Sequence, residues 1–232
     1  MKHLFERGYL NYRDAAYIFI ATYVIVLAFH FLIGSFYTFD KGEIFFIDTF
    51  LQDMILMILI VVVLYKVHRQ TVSYIYVCPI SYRAVVSAFF MGILMLMAMN
   101  MVMVLMNQFL PNGVPAQNVE AIFSFGNSPT VALFASLFIT SICAPIVEEM
   151  FFRGFLYRAL RNDMSVKKAV FFSSLCFALA HGDIYRFIPL FIAGYGLHYI
   201  SLKYQSILAS MIAHSVWNGI SVLMQFVVIT NR

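Results

Sequence analysis

Long apolar runs separated by short polar connections dominate the chain, and seven of them read as helical segments: 15–37, 44–65, 84–110, 130–152, 166–180, 187–202 and 207–230. A run of about 18 or more apolar residues is long enough to cross a hydrocarbon core of roughly 30 Å. With no water in that core to satisfy the backbone, such runs must be helical. The pattern therefore predicts an all-α, polytopic helical membrane protein with about seven transmembrane helices. The fifth and sixth segments are short, and are expected to tilt, to stop at the edge of a cavity or to extend into flanking residues. Residues 1–14 are polar and charged, and the apolar stretch after them is too long for the h-region of a signal peptide, so the first span is expected to be retained. The longest connections are 66–83, which is basic, and 111–129, where Glu120 is the one charge among turn-forming Pro, Asn and Gly. No repeat or second soluble domain is visible. The chain reads as a single integral membrane domain over 1–232, with three spans in 1–129 and a core bearing the polar motifs in 130–232.

Composition strengthens this reading. Hydrophobic residues make up 62% of the 232 positions and charged ones 11%, whereas an ordinary soluble domain carries roughly 25% charged residues. A water-soluble globule is excluded. The formal charge of +4 matters through where the cations sit, and gives no sign of a nucleic-acid partner. With the N-terminus in the cytoplasm, Lys2, Arg7, Arg13, Lys66, Arg69, Arg83, Arg153, Arg158, Arg161, Lys167, Lys168 and Lys203 lie inside, Arg153 being counted loosely as a residue at the membrane end of its span, and Lys41, Arg186 and Arg232 lie outside. This asymmetry predicts an N-in, C-out topology by the positive-inside rule. The three cysteines, Cys78, Cys143 and Cys176, form neither a CxxC pair nor a disulfide framework.

Ionisable groups inside spans are costly, so each is a candidate for function. The fourth span ends in Pro145-Ile146-Val147-Glu148-Glu149-Met150-Phe151-Phe152-Arg153, which places two adjacent carboxylates at the end of an apolar helix. Glu149 and Arg153 are four residues apart and share a helical face, so they can form a charge-assisted pair. Glu148 points about 100° away and is left free. The fifth span ends at His181, and the seventh carries His214 and Asn218 on one face. Singly, each is open to a bland reading as an interhelical hydrogen-bonding group. Together they form a kit for hydrolysing an amide: a carboxylate or imidazole deprotonates water, and His and Asn donors hold the developing oxyanion. Ser215 and Cys176 are weaker nucleophile candidates, since neither a GxSxG elbow nor a Cys/His motif surrounds them. Zinc is a competitor, because Glu148, His181 and His214 can supply three ligands and leave an open position, although no HExxH motif occurs.

In their order along consecutive membrane helices, Glu148-Glu149-x-x-x-Arg153, Phe177-x-x-x-His181 and His214-x-x-x-Asn218 resemble the motifs of the CAAX protease and bacteriocin-processing (Abi) family of intramembrane endopeptidases, which includes the type 2 CAAX prenyl endopeptidases. The resemblance covers residues 130–218, with Pro145 just ahead of the glutamate pair. It implies helices enclosing a polar catalytic cavity that opens toward the cytoplasmic side and the bilayer. Carried over by position, Glu148 is similar to the catalytic glutamate and His181 to the histidine that helps it activate water, while His214 and Asn218 resemble the pair that supports the substrate carbonyl and oxyanion. Glu149 and Arg153 fall on positions with a structural role. Both metalloprotease and metal-free glutamate-protease readings exist for the family, so zinc stays open. The expected partners are membrane lipids and a peptide or lipidated protein: bacteriocin or pheromone precursors for a bacterial member, a prenylated CAAX protein for a eukaryotic or archaeal one. The short chain points by analogy to a prokaryotic plasma membrane.

One tension follows from the topology. Glu148 falls near the cytoplasmic end of the fourth span and His181 near the opposite end of the fifth, so joining them requires a tilted fifth span or a site deeper than the drawn boundaries. His198, beside Gly194 and Gly196, reads as packing or cavity lining, and His30 as an interhelical hydrogen-bonding group. Asp48 and Asp53 lie about 140° apart around their helix and cannot form one carboxylate pair; they read as marking a polar helix end or a water-accessible groove. The methionines between Met91 and Met106 read as lipid-facing filler, with a substrate groove as the alternative. A non-catalytic scaffold or bacteriocin self-immunity protein that binds a partner peptide or helix is the competing function, against which stands the presence of all of Glu148, His181, His214 and Asn218. A transporter would want two related halves with discontinuous helices, and none are apparent.

Overall fold

A computed structural model describes residues 10–34, 41–70, 72–75, 77–109, 123 and 125–231. Lys2, Arg7, Arg232, Glu120 and the side chain of Lys41, all used in the topology argument, lie outside the described residues. The described residues form seven long helical segments and short connecting turns: α1 (Tyr12–Gly34), α2 (Lys41–Val62, extended by a π-turn Val63–Val67), α3 (Tyr82–Phe109), α4 (Pro129–Arg161), α5 (Val166–Ala180), α6 (Phe187–Tyr204) and α7 (Ile207–Thr230). Among these, α1, α2, α3, α4 and α7 have the length and apolar character of membrane spans. The protein is a polytopic helical membrane protein. Helices α5 and α6, of 15 and 18 residues, rise about 22 and 27 Å at 1.5 Å per residue. They form a short hairpin whose tip neutralises Asp183 against Arg186 at 2.6 Å.

Large apolar side chains stand outward on α1, α3, α4 and α7, including Phe31, Met97, Met101, Phe134 and Val227, where lipid rather than water is the fitting neighbour. Met97 and Met101 thus act as the expected filler, whereas Met91 and Met95 lie against Gly196 of α6. Small residues bring the inner helices together. A Cβ on Gly92 of α3 would overlap the Ala213 carbonyl oxygen of α7, and one on Gly194 of α6 would stand 2.9 Å from the Ser174 Cβ of α5. Serines start the helices: Ser165 accepts from the Lys168 N–H, and Ser206 accepts from the Leu208 N–H at 3.2 Å while donating to the Cys78 carbonyl at 2.6 Å. His30 makes its expected interhelical bond, to Asp48 at 2.9 Å, and His68 pairs with Asp14 at 2.9 Å, so α1 and α2 are tied at both ends.

Two corrections bear on the site. The fourth helix does not end at Phe152 but continues to Arg161, and it is interrupted by π segments at Ile139–Cys143 and Met150–Leu156 that flank the glutamate pair. Such segments are frequent at functional sites. Arg153 and Arg158, counted above with the inside charges, are 1% and 4% exposed. Arg158 lies over the Tyr74 ring at 4.3 Å, so it belongs to the folded interior rather than to a loop, as Arg153 on its helix does.

Candidate active site

Glu149 and Arg153 lie on the inward face of α4, fully buried, and the guanidinium donates to Glu149 Oε1 at 2.9 Å. Arg153 also donates to the Gly194 carbonyl of α6 at 3.2 Å and covers the Phe177 ring of α5 at 4.3 Å. One arginine thus clamps three helices, and its charge is matched by a carboxylate, as burial demands. His214 of α7, 2% exposed, directs Nδ1 at the same Glu149 oxygen at 3.0 Å. A carboxylate only accepts, so Nδ1 carries the hydrogen, and Nε2 stands on the other side of the ring. Trp217, stacked on the imidazole at 4.9 Å, fixes the ring plane. Nε2 lies 3.9 Å from Glu148 Oε2. That separation is too long for a hydrogen bond but suits a small oxygen-bearing group touching both atoms. The orienting carboxylate is therefore Glu149 and the free one Glu148, the division that the spacing predicted.

His181 caps the C-terminus of α5, its Nδ1 bonded to the Phe177 carbonyl at 2.8 Å. The Phe177 ring lies 4.7 Å from the His181 ring and 5.8 Å from the His214 ring, so both imidazoles pack on it. The topological tension dissolves once α4 is extended. Glu148 sits about 20 Å along the helix from the turn after Arg161, and His181 about 22 Å along α5 from the same turn. Asn218 lies one turn beyond His214 and donates to the Thr140 carbonyl at 2.6 Å. The reason is local: in the first π segment the Ala144 N–H bonds Ile139, five residues back, so Thr140 would need the N–H of residue 145, which is a proline. Pro145 orphans a carbonyl, and Asn218 satisfies it.

Glu148, Glu149, Arg153 and His214 are thus in contact or facing, while His181 and Asn218 flank them without touching Glu148. Among the described residues no three His, Cys, Asp or Glu side chains converge as metal ligands. Glu148, His181 and His214 do not come together as a three-ligand set for zinc. His198 is 1% exposed and stacks near Tyr157 at 5.1 Å, in keeping with packing. Asp53 is a correction: it marks neither a helix end nor a groove but is 3% exposed on the buried stripe of α2 formed with Phe46, Leu56, Ile60 and Leu64. Its signal in the sequence is a lone carboxylate at core phase, masked because nearly every neighbouring position is also apolar. Tyr23 of α1, also passed over, donates to the Ala180 carbonyl at 2.9 Å, next to His181.

The fold and site define an integral membrane protein with a carboxylate-oriented histidine facing a second, free carboxylate. Residues 130–220 match the family described as type II CAAX prenyl endopeptidase Rce1-like. The chain is 36% identical over 98 residues, 38% of each chain, to the membrane-embedded CAAX protease MroQ of Staphylococcus aureus. It is 25% identical over 119 residues, 51% of this chain and 47% of the relative, to the putative membrane peptidase YdiL of Bacillus subtilis. The matched segments cover less than half the length of both relatives. No solved structure matches the chain. Over residues 130–220, the region that carries every motif above, the chain is similar to the CAAX protease family.

Proposed function

We propose that the protein is an intramembrane endopeptidase that hydrolyses a peptide bond of a membrane-associated or lipidated peptide or protein. The observation that carries this reading is the buried relay Arg153–Glu149–His214 with Glu148 across a 3.9 Å gap from Nε2. In it, Glu148 takes a proton from water bound in the gap, and the resulting hydroxide attacks the scissile carbonyl. His181, which packs on the same Phe177 ring as His214, helps to orient that water. His214 and Asn218 support the carbonyl oxygen as it becomes an oxyanion: His214 donates through an Nε2–H that it carries from the start, with Glu149 accepting from Nδ1–H, and Asn218 donates through its second amide hydrogen. Arg153 neutralises Glu149 and keeps the imidazole in place without touching substrate.

The substrate reaches the site from the bilayer or from the side of the membrane that holds the N-terminus, which the charge asymmetry assigns to the cytoplasm. Both named relatives are bacterial, in keeping with a prokaryotic plasma membrane and with small secreted or lipidated peptides as substrates. The test is cleavage of a panel of lipidated and leader-type peptides by the purified protein in lipid, comparing wild type with Glu148→Ala and His214→Ala, with metal content measured on the wild-type sample. Loss of cleavage in both variants at matched folding supports the reading. A well-folded wild type that cleaves none of the panel, with both variants still functional in cells, points instead to a scaffold or self-immunity role.

A further inference from the structure

The family match begins at residue 130, yet the open side of Glu148 is walled by helices that precede it. Glu149 bonds His214 of α7, whereas Glu148, about 100° around the helix, has His214 on one side at 3.9 Å and α1 and α2 on the other. Two N-terminal residues lie within electrostatic reach of it, Tyr23 of α1 and Asp53 of α2. Asp53 also lies within reach of Cys143, on the π segment that precedes the glutamate pair. It is 3% exposed, and its Oδ2 is completely buried without a hydrogen-bond partner. Glu148 Oε2 is likewise buried and without a hydrogen bond. A buried polar atom without a partner is rare and asks for a reason. Here two carboxylate oxygens from different helices are both left without a hydrogen bond, with Arg153 already engaged by Glu149. Two carboxylates sharing such a site cannot both be ionised.

This inference rests on the proposed protease reading and adds a residue to it. We propose that Asp53 is the second acid of the site, carrying the proton that Glu148 lacks and delivering it to the amine released when the peptide bond breaks. The exchange balances. Water gives one proton to the Glu148 carboxylate as its oxygen bonds to the scissile carbon. When the C–N bond breaks, its electron pair goes to nitrogen, which takes the proton of Asp53. The proton on Glu148 then passes to the Asp53 carboxylate and restores the starting state. Division of base and acid roles between two carboxyl groups in one site is a known solution to this chemistry. It explains why an apolar helix outside the matched region carries a carboxylate at core phase.

The test uses the full chain in lipid and two substrates of the same sequence, a peptide amide and an ester with an activated leaving group that departs without a proton. Asp53→Asn keeps size and polarity but cannot supply a proton. We expect it to lower kcat on the amide by about 10²- to 10⁴-fold, with KM within about two-fold of wild type on the scale of that effect. On the activated ester it should keep most of the wild-type rate, while Glu148→Gln loses both substrates. Full amide activity in Asp53→Asn overturns the proposal, and so does equal loss on both substrates, which would mark a structural role. Failure of the protease reading looks different: the wild type then cleaves neither substrate, and the Asp53 role falls with it. Thermal unfolding of each variant, compared with wild type in the same lipid, separates rate loss from misfolding.

Discussion

A single buried arginine sets the character of the site. With Arg153 and Glu149 1% and 0% exposed, removing either partner strands the other charge in the membrane interior. Breaking such a pair costs about 3–5 kcal/mol, whereas replacing both partners with apolar residues is far less harmful. Arg153→Leu is therefore expected to unfold at markedly lower temperature, and adding Glu149→Leu to recover much of the loss. Thermal unfolding of the single and double variants in one detergent checks this; additive losses would show that the two side chains act separately. The double variant should still be inactive, because His214 has lost the carboxylate that orients its ring. At this scale the sequence was informative wherever spacing along one helix decided the contact: the pairing of Glu149 with Arg153 and the freedom of Glu148 both follow from periodicity. Contacts between helices were not legible from spacing. The Glu149–His214 bond and the position of Asp53 depend on how α2, α4 and α7 are rotated against one another.

Helix α4 shows how an element prepares a site. Its π segments and Pro145 displace the ordinary backbone ladder, leaving the Thr140 carbonyl for Asn218. In Pro145→Ala the restored N–H competes for that carbonyl and loosens Asn218. The effect of Asn218→Ala on kcat should then be smaller in the Pro145→Ala background than in wild type, a coupling readable in a double-mutant cycle. Equal effects in both backgrounds would mean that Pro145 does not set the position of Asn218. The α3–α7 contact is governed by bulk instead. Because a Cβ on Gly92 would collide with the Ala213 carbonyl and lie 2.9 Å from the Val216 Cβ, Gly92→Val is expected to destabilise by about 1–3 kcal/mol through overpacking. An unchanged unfolding midpoint would contradict that close approach. The π segments had no sequence signature, and the fourth helix read as shorter than it is because the apolar run breaks at Arg153 and Gly154, with Arg158 and Arg161 beyond. That error alone produced the apparent mismatch between Glu148 and His181.

For the molecule as a whole, hydropathy was enough to identify an all-helical membrane protein, since long apolar runs have few alternatives in lipid. It was weakest at α5 and α6, which are short and carry polar tips. Several contacts gather one end of the bundle: Asn162 donates to the Leu10 carbonyl, His68 pairs with Asp14, and Ser206 bonds Cys78. Single cysteines placed at Asn11 and Met164, in a chain stripped of Cys78, Cys143 and Cys176, should therefore react with an impermeant maleimide from the same side of the membrane. A cysteine at Asn231 should react from the other side, and labelling of all three from one side would refute this arrangement. The central claim is that Glu148 performs the chemistry while Glu149 holds the machinery. Its most direct test is kcat and unfolding temperature measured together for Glu148→Gln and Glu149→Gln in lipid, on a peptide that the wild type cleaves. The account predicts that Glu148→Gln loses about 10²- to 10⁴-fold in kcat with its unfolding temperature intact, while Glu149→Gln loses activity together with stability. A Glu148→Gln variant that cleaves at the wild-type rate would contradict it.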